Sequence, residues 1–402
     1  MTDSTYFRKG FGLKGAIEGV LAADYHSALI EAFKTGGYRL TAGPLEFRLA
    51  REFGFCYGVD RAVEYAYETR AKFPDRSLVL VGEIIHNPHV NHKLESMGIQ
   101  FLHRDAAGTF DFSSLTADHV VILPAFGVTI QDFTTLRAIG CVLVDTTCGS
   151  VLNVWKRVES YARDGYTAVI HGKHWHEETK ATASQVTKFP QGRYLVVLNM
   201  EEAREVCRFI LEGTDLAAIQ RRFGPAASEH FDFERDLLRV GIANQTTMLS
   251  RESLAIAEEF RQTMIARWGS EHEAEHVRTF DTICSATQER QDAVVQLLEE
   301  PLDVMLVVGG YNSSNTCHLA ALCERRGVTT YHIEDADCID PAAGTIRHQP
   351  VGAKKETTRS DWLGSSRRIG LTAGASTPNN KIGETVVRVA ATAGIDPATL
   401  VR

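Results

Sequence analysis

Three times along this chain a short apolar run meets a polar turn holding one cysteine, and the turn opens into an amphipathic helix. The turns are Glu52-Phe53-Gly54-Phe55-Cys56, Val144-Asp145-Thr146-Thr147-Cys148 and Asp281-Thr282-Ile283-Cys284. Each helix leads to a second strand that ends in a polar loop, at His86, His176 and Ser313. The intervals from cysteine to loop are 30, 28 and 29 residues. A unit repeated three times with one cysteine per copy implies three thiolates converging on a pseudo-threefold axis. That is the geometry of a metal centre with one coordination position left open.

The repeats also fix the fold class. Helices are expected over 60–72, 151–163 and 288–299, second strands over 77–85, 167–171 and 304–308, and later strands over 119–123, 238–242 and 368–371. Strands alternating with helices of these lengths predict parallel α/β units with right-handed crossovers. In such sheets ligands bind beyond the carboxyl ends of the strands. The polar segments His86-Asn87-Pro88, residues 124–129, 172–179, 243–247, 309–316 and 372–376 all lie at such ends. Residues 213–236 and 341–366 read as linkers, the second as a surface excursion. Residues 1–45 read as an extension with helix between 15 and 34, separated from the first repeat by Thr41-Ala42-Gly43-Pro44.

At 402 residues the chain is long for one core, so two or three domains are expected. A net charge of −8 argues against a general nucleic-acid binder. Apolar runs such as 303–308 and 78–81 are far too short to span a bilayer and read as buried strands. The N-terminus has no signal-peptide core, which makes the cytoplasm the expected location, or a plastid stroma in a photosynthetic eukaryote. Eight cysteines are too sparse for a disulfide scaffold. Cys141, Cys207, Cys323 and Cys338 fall at no repeated position and read as packed thiols, as does Cys317. No CxxC pair is present, so neither a zinc ribbon nor a bacterial ferredoxin motif is supported.

The three repeated cysteines stand apart because each precedes a helix, whose N-terminus favours the thiolate. Zinc with three cysteines and a fourth ligand, and an iron–sulfur cluster with three cysteines and one open iron, both satisfy the pattern. His86 and His176 occupy matching places in matching repeats and suit phosphate oxygens. Their counterpart in the third repeat, Asn312-Ser313-Ser314-Asn315, offers hydroxyl and amide groups. Gly309-Gly310 before it is no P-loop, since no Gly-Lys-Ser/Thr follows. Glu178 is a candidate proton donor if poorly solvated, with Thr246 orienting a hydroxyl or relaying the proton. Glu177 reads as an ordinary residue of a surface helix turn.

Taken together, these motifs resemble the 4-hydroxy-3-methylbut-2-enyl diphosphate reductase family. The resemblance rests on Gly54-Phe55-Cys56-Tyr57-Gly58-Val59, His86-Asn87, Asp145-Thr146-Thr147-Cys148, His176-Glu177-Glu178-Thr179, Asn244-Gln245-Thr246-Thr247, Cys284-Ser285-Ala286-Thr287, Asn312-Ser313-Ser314-Asn315 and Thr372-Ala373-Gly374-Ala375-Ser376. It covers about residues 46–390. The N-terminal extension and the His-Glu-Glu-Thr variant are similar to the cyanobacterial and plastid branch.

The resemblance implies a trefoil of three pseudo-threefold-related α/β domains with short, parallel-rich sheets around one [4Fe–4S] cluster per chain. Its three ligands would be Cys56, Cys148 and Cys284, with the fourth iron open to the substrate hydroxyl. The implied domains are 46–147, 148–283 and 284–376, with the extension 1–45 in front and the tail 377–402 packing on the first. His86, His176, Ser313, Ser314, Asn315 and Ser376 would hold the diphosphate, Glu178 would supply protons, and Thr246 would position the hydroxyl. The implied reaction is a two-electron, two-proton loss of that hydroxyl as water, giving isopentenyl and dimethylallyl diphosphates. Ferredoxin is the expected electron donor, with flavodoxin as the alternative. One position departs from the pattern: many bacterial members carry Ala-His-Gly where this chain has Ala125-Phe126-Gly127, so the other donors, the backbone or Thr129 must take over that hydrogen bond. Three rival readings are an iron–sulfur electron carrier or redox sensor without a diphosphate substrate, a zinc hydrolase using Glu178 as base, and a [4Fe–4S] hydro-lyase without net reduction.

Overall fold

The computed structural model describes residues 5–106, 108–280 and 282–400. Asp281, within the third cysteine turn, lies outside the described residues. The chain forms two compact units. One comprises residues 1–9, 75–82 and 99–284, the other residues 10–74, 83–98 and 285–402.

The first unit holds two all-parallel sheets. In one the strand order is Tyr6–Phe7, Val142–Asp145, Val120–Leu123, Leu78–Val81, Ile99–Leu102. In the other it is Val277–Thr279, Val240–Asn244, Thr167–His171, Tyr194–Val197. The second unit holds a sheet ordered Thr329–Ile333, Val304–Val308, Arg368–Ala373, Leu45–Leu49, with Arg39–Ala42 antiparallel at its edge. Strands such as Val120–Leu123, Thr167–His171 and Val304–Val308 are buried along their whole length, as expected of parallel strands covered on both faces.

All three sheets share one plan. The strand that feeds a cysteine lies beside the later strand of the repeat, then the second strand, then an edge strand. A glycine follows each second strand, and its N–H closes on the end of the edge strand: Gly82 to Leu102, Gly172 to Val197 and Gly309 to Ile333, each at 2.9 Å. The strand before a cysteine and the strand after its helix lie in different sheets. Leu45–Leu49 is in the third sheet while Leu78–Val81 is in the first; Val142–Asp145 is in the first while Thr167–His171 is in the second. Each cysteine thus marks the point where the chain leaves one sheet for the next.

Several expectations are corrected. The second strand of the first repeat is only Leu78–Val81, because Gly82 takes a positive φ of 75° and turns the chain toward His86. Thr41-Ala42-Gly43-Pro44 is no separator but the tip of a hairpin joining Arg39–Ala42 to Leu45–Leu49, with Gly43 at φ 52°. Residues 213–236 contain the helix Leu216–Phe223, whose Ile219 and Phe223 enter the core at helical spacing. Residues 341–366 contribute two strands to an antiparallel three-stranded sheet, and Ile346, Trp362 and Leu363 anchor the segment in the core.

The extension is part of the core as well. It forms two helices, Lys14–Tyr25 and Ala28–Thr35, broken at Ser27, whose hydroxyl accepts the Ile30 N–H. Leu29, Ile30 and Phe33 pack into one apolar cluster with the third sheet and with the Asn379–Thr392 helix of the tail. Buried Glu68 fastens its start, accepting the N–H groups of Phe11 at 2.5 Å and Leu13 at 2.7 Å.

Candidate active site

Each cysteine of the trio sits at a helix N-terminus. Cys56 caps Tyr57–Lys72, its Sγ accepting the Val59 N–H at 3.5 Å, and Cys148 is the N-cap of Gly149–Arg163. Cys284 directly precedes Ser285–Leu297. All three are partly exposed, whereas Cys141, Cys207, Cys323 and Cys338 are buried. Burial pushes the Cys207 and Cys323 thiols up to about 12, so these two remain thiols at any working pH. Cys317 donates to the Tyr311 carbonyl at 3.2 Å, in keeping with a structural role.

In the first unit the backbone N–H of Cys148 donates to Ala125 O at 2.8 Å. The Cys284 Sγ lies 3.3 Å from the Ser150 hydroxyl, in the first turn of the helix that Cys148 caps. Open space surrounds the position where a side chain at Gly149 would begin. Two half-exposed sulfurs against one positive helix end, with room beside them, suit an anionic thiolate-ligated group. The turn before Cys284 is held by Asn244, whose N–H donates to Thr282 Oγ1 at 3.2 Å and whose Oδ1 accepts from the same hydroxyl.

His176, Glu178 and Thr246 come together in this unit. The Glu177–Ala183 helix begins at His176, whose Nδ1 accepts the Glu178 N–H at 3.2 Å. An accepting Nδ1 leaves the neutral ring's proton on Nε2, which makes that nitrogen a donor. Glu178 is 3% exposed, and its Oε1 accepts the Thr246 N–H at 2.5 Å. Gln245 locks the two segments, its Oε1 accepting from Lys173 N and Thr179 Oγ1 and its amide donating to Thr247.

Phe126 stands edge-on to His176, ring centroids 6.4 Å apart at 72°. It cannot donate a hydrogen bond, but it walls the imidazole in place. Thr129 does not substitute for the missing donor: it caps the Ile130–Ile139 helix, accepting Asp132 N and donating to Asp132 Oδ2. Gly127, at φ 77°, lies under Trp155, where a Cβ would fall 2.4 Å from the ring.

In the second unit the remaining candidates gather at the N-terminus of the Ser314–Arg325 helix. Ser313 is its N-cap, accepting Thr316 N at 3.3 Å and the Thr316 hydroxyl at 2.9 Å. Ser376 Oγ is 3.5 Å from Ser313 Oγ and donates to His86 O at 3.2 Å. Asn315 Oδ1 accepts Ala375 N at 2.9 Å, which aims its amide nitrogen away from the strand end. Ser314 Oγ and Asn315 Nδ2 are both buried and neither has a hydrogen-bond partner among the described residues. Gly310 allows the loop to approach His86, since a Cβ there would meet His86 O at 2.6 Å. The His86 ring is oriented by Glu83, Nδ1 to Oε2 at 2.7 Å.

A helix N-terminus with two buried, unpaired donors has the chemistry to receive an anion. Sequence reasoning named its members but missed Glu83, for which the only signal was a carboxylate three residues before His86. It missed Thr282 too, which reads as an ordinary turn residue.

The LytB protein family model matches residues 47–390. A Gloeobacter violaceus protein called 4-hydroxy-3-methylbut-2-enyl diphosphate reductase is 49% identical over 393 residues, 97% of this chain and 93% of that relative. A Thermosynechococcus vestitus protein of the same name is 46% identical over 389 residues, 96% of this chain and 95% of its own length. Among solved structures, one of (E)-4-hydroxy-3-methyl-but-2-enyl diphosphate reductase, described as the terminal enzyme of the non-mevalonate pathway, superposes with a TM-score of 0.52 at 27% identity, covering 85% of this chain and 98% of that one. The fold is also that of a Plasmodium falciparum reductase structure, TM-score 0.62 at 22% identity, covering 85% and 86% of the two chains. With a family match over most of its length and relatives this similar end to end, the chain belongs to the LytB family.

Proposed function

We propose that this chain is a 4-hydroxy-3-methylbut-2-enyl diphosphate reductase, catalysing the last step of the non-mevalonate isoprenoid pathway. The observation that carries the reading is the donor set at the Ser314–Arg325 helix start, where Ser314 Oγ and Asn315 Nδ2 are buried without partners beside Ser313 and Ser376. A diphosphate supplies the missing acceptors. An electron carrier has no use for them.

Cys56, Cys148 and Cys284 are the residues that would hold a [4Fe–4S] cluster, one per chain. Their partial exposure and helix-end placement agree with thiolate ligation. When bound, the cluster supplies electrons and a Lewis-acidic iron for the leaving oxygen. The protein's own residues do the rest. His86, His176, Ser313, Ser314, Asn315 and Ser376 bind the diphosphate, and charge-assisted hydrogen bonds there fix the substrate's orientation. Glu178 supplies protons, and the Thr246 N–H donated to its Oε1 fixes the direction of the carboxyl group. Thr246 positions the substrate hydroxyl. Two electrons and two protons are consumed, the hydroxyl departs as water, and isopentenyl or dimethylallyl diphosphate remains.

The division into domains 46–147, 148–283 and 284–376 is part of the same proposal, supported by three sheets of one plan, with the differences that Leu45–Leu49 pairs into the third sheet and that the tail helix packs in that sheet's cluster with the extension. A ferredoxin is the proposed electron donor, supported by the chain's cyanobacterial relatives. The test is anaerobic turnover of 4-hydroxy-3-methylbut-2-enyl diphosphate by reconstituted protein, with iron and sulfide assayed on the same sample. Electron-dependent formation of both five-carbon diphosphates is expected. A fully loaded cluster without turnover refutes the substrate.

A further inference from the structure

Arg290 lies in the helix Ser285–Leu297 that follows Cys284, and it is 3% exposed. Its guanidinium donates to two main-chain carbonyls: Gly54 O at 2.7 Å through one terminal nitrogen and Ala286 O at 2.8 Å through the other. Its Nε is buried without a hydrogen-bond partner, and no carboxylate pairs with it among the described residues. A permanent cation in this position is expensive to bury, and two neutral carbonyls do not cancel its charge. The carbonyls it holds are informative. Gly54 is two residues before Cys56, and Ala286 is two residues after Cys284.

Gly54 has φ 70°, and a Cβ there would come within 2.9 Å of Asn379 Oδ1, so the loop entering Cys56 is tightly set. A neutral amide could have held the Gly54 carbonyl equally well. The charge itself favours an anion nearby, and no carboxylate lies within ion-pair distance of it among the described residues.

We infer that Arg290 is the built-in counter-charge of the thiolate-bound centre and raises its reduction potential. The inference rests on the cluster reading above. A [4Fe–4S] cluster in its 2+ state with three thiolates carries one net negative charge. Uptake of one electron, from the same external donor that drives turnover, makes it two. A fixed cation at the base of two cysteine loops therefore favours the reduced form. Arg290 is a positioning and tuning residue here, since it reaches the reaction only through the centre.

The experiment is a spectroelectrochemical titration of the reconstituted holoprotein, followed by electron paramagnetic resonance, for wild type, Arg290→Lys, Arg290→Gln and Arg290→Met. Arg290→Lys should titrate close to wild type. Each neutral variant should be harder to reduce by at least about tenfold in the one-electron equilibrium constant, which is about 59 mV toward negative potential. Loading of Arg290→Lys but of neither neutral variant, by iron and sulfide assay, also supports the counter-charge. Equal potentials in all loaded variants overturn it. So does failure of Arg290→Lys to load, which would mean that the geometry of the guanidinium fork matters rather than its charge. If wild type itself takes up no iron and sulfide, the cluster reading fails, a different result from any of these.

Discussion

Glu178 and Asn315 sit in different units, and their side chains predict different kinetic faults. Glu178→Gln keeps the shape and an acceptor for the Thr246 N–H but removes the acid, so kcat should fall by about 10²–10⁴ with little change in KM. Asn315→Ala removes a buried donor that the diphosphate would satisfy. A hydrogen bond to a charged group contributes about 1.5–3 kcal/mol, so kcat/KM should fall by roughly tenfold to a hundredfold, mainly through KM. Anaerobic steady-state assays read both. His332 carries a pH prediction. Burial lowers its pKa from 6.5 to about 4, while its Nε2 donates to the Gly309 carbonyl at 2.9 Å. The unfolded chain binds this proton first as pH falls, so the neutral ring's contribution is intact above pH 6.5 and is lost as pH drops toward 4. The slope is about 1.4 kcal/mol per pH unit across that window. His332→Gln, with a donor that does not titrate, should flatten the change in urea midpoint between pH 7 and pH 5.

The helices of the extension, whose role the sequence leaves open, prove to be core. Phe33 is completely buried in the cluster shared by the third sheet and the Asn379–Thr392 helix. Phe33→Ala should therefore cost about 3–5 kcal/mol, seen as a lower unfolding temperature of the apoprotein. The parallel strands were readable because a strand covered on both faces must be continuously apolar, as in Val304–Val308. Loops rich in polar residues at their ends were readable for the complementary reason, and His86, His176 and Ser313 were found that way. Other features were hidden because burial was decided by distant partners. Arg290 stands in Ser285-Ala286-Thr287-Gln288-Glu289-Arg290-Gln291-Asp292, a run that reads as a solvated face until Gly54, 236 residues away, accepts its hydrogen bond. Residues 341–366 looked like a loop because their three buried side chains are too widely spaced to show a period of two. Phe126 looked like a lost donor and proves to be a wall for His176.

Two of the three cysteine-feeding strands pair with strands far away in the sequence, Val142–Asp145 with Tyr6–Phe7 and Leu45–Leu49 with Arg368–Ala373. The extreme case is Leu45–Leu49, whose parallel partner is Arg368–Ala373. The two are separated by more than three hundred residues, and the ribosome adds roughly 5–20 residues per second. For tens of seconds of synthesis this strand has only the short antiparallel Arg39–Ala42 beside it, and one edge stays open. Chains ending at residue 366 should accordingly remain aggregation-prone and fail to retain iron on reconstitution, as sedimentation and iron assay would show. The order of events in the cell follows from the same pairing. The loop that presents Cys56 is fastened by Ala375 O to Cys56 N and by Ala373 O to Gly54 N, and neither acceptor exists until the last tenth of the chain has emerged. Assembly of the proposed iron–sulfur group would thereby be timed to the end of translation, and a truncated chain would be left unable to capture scarce iron.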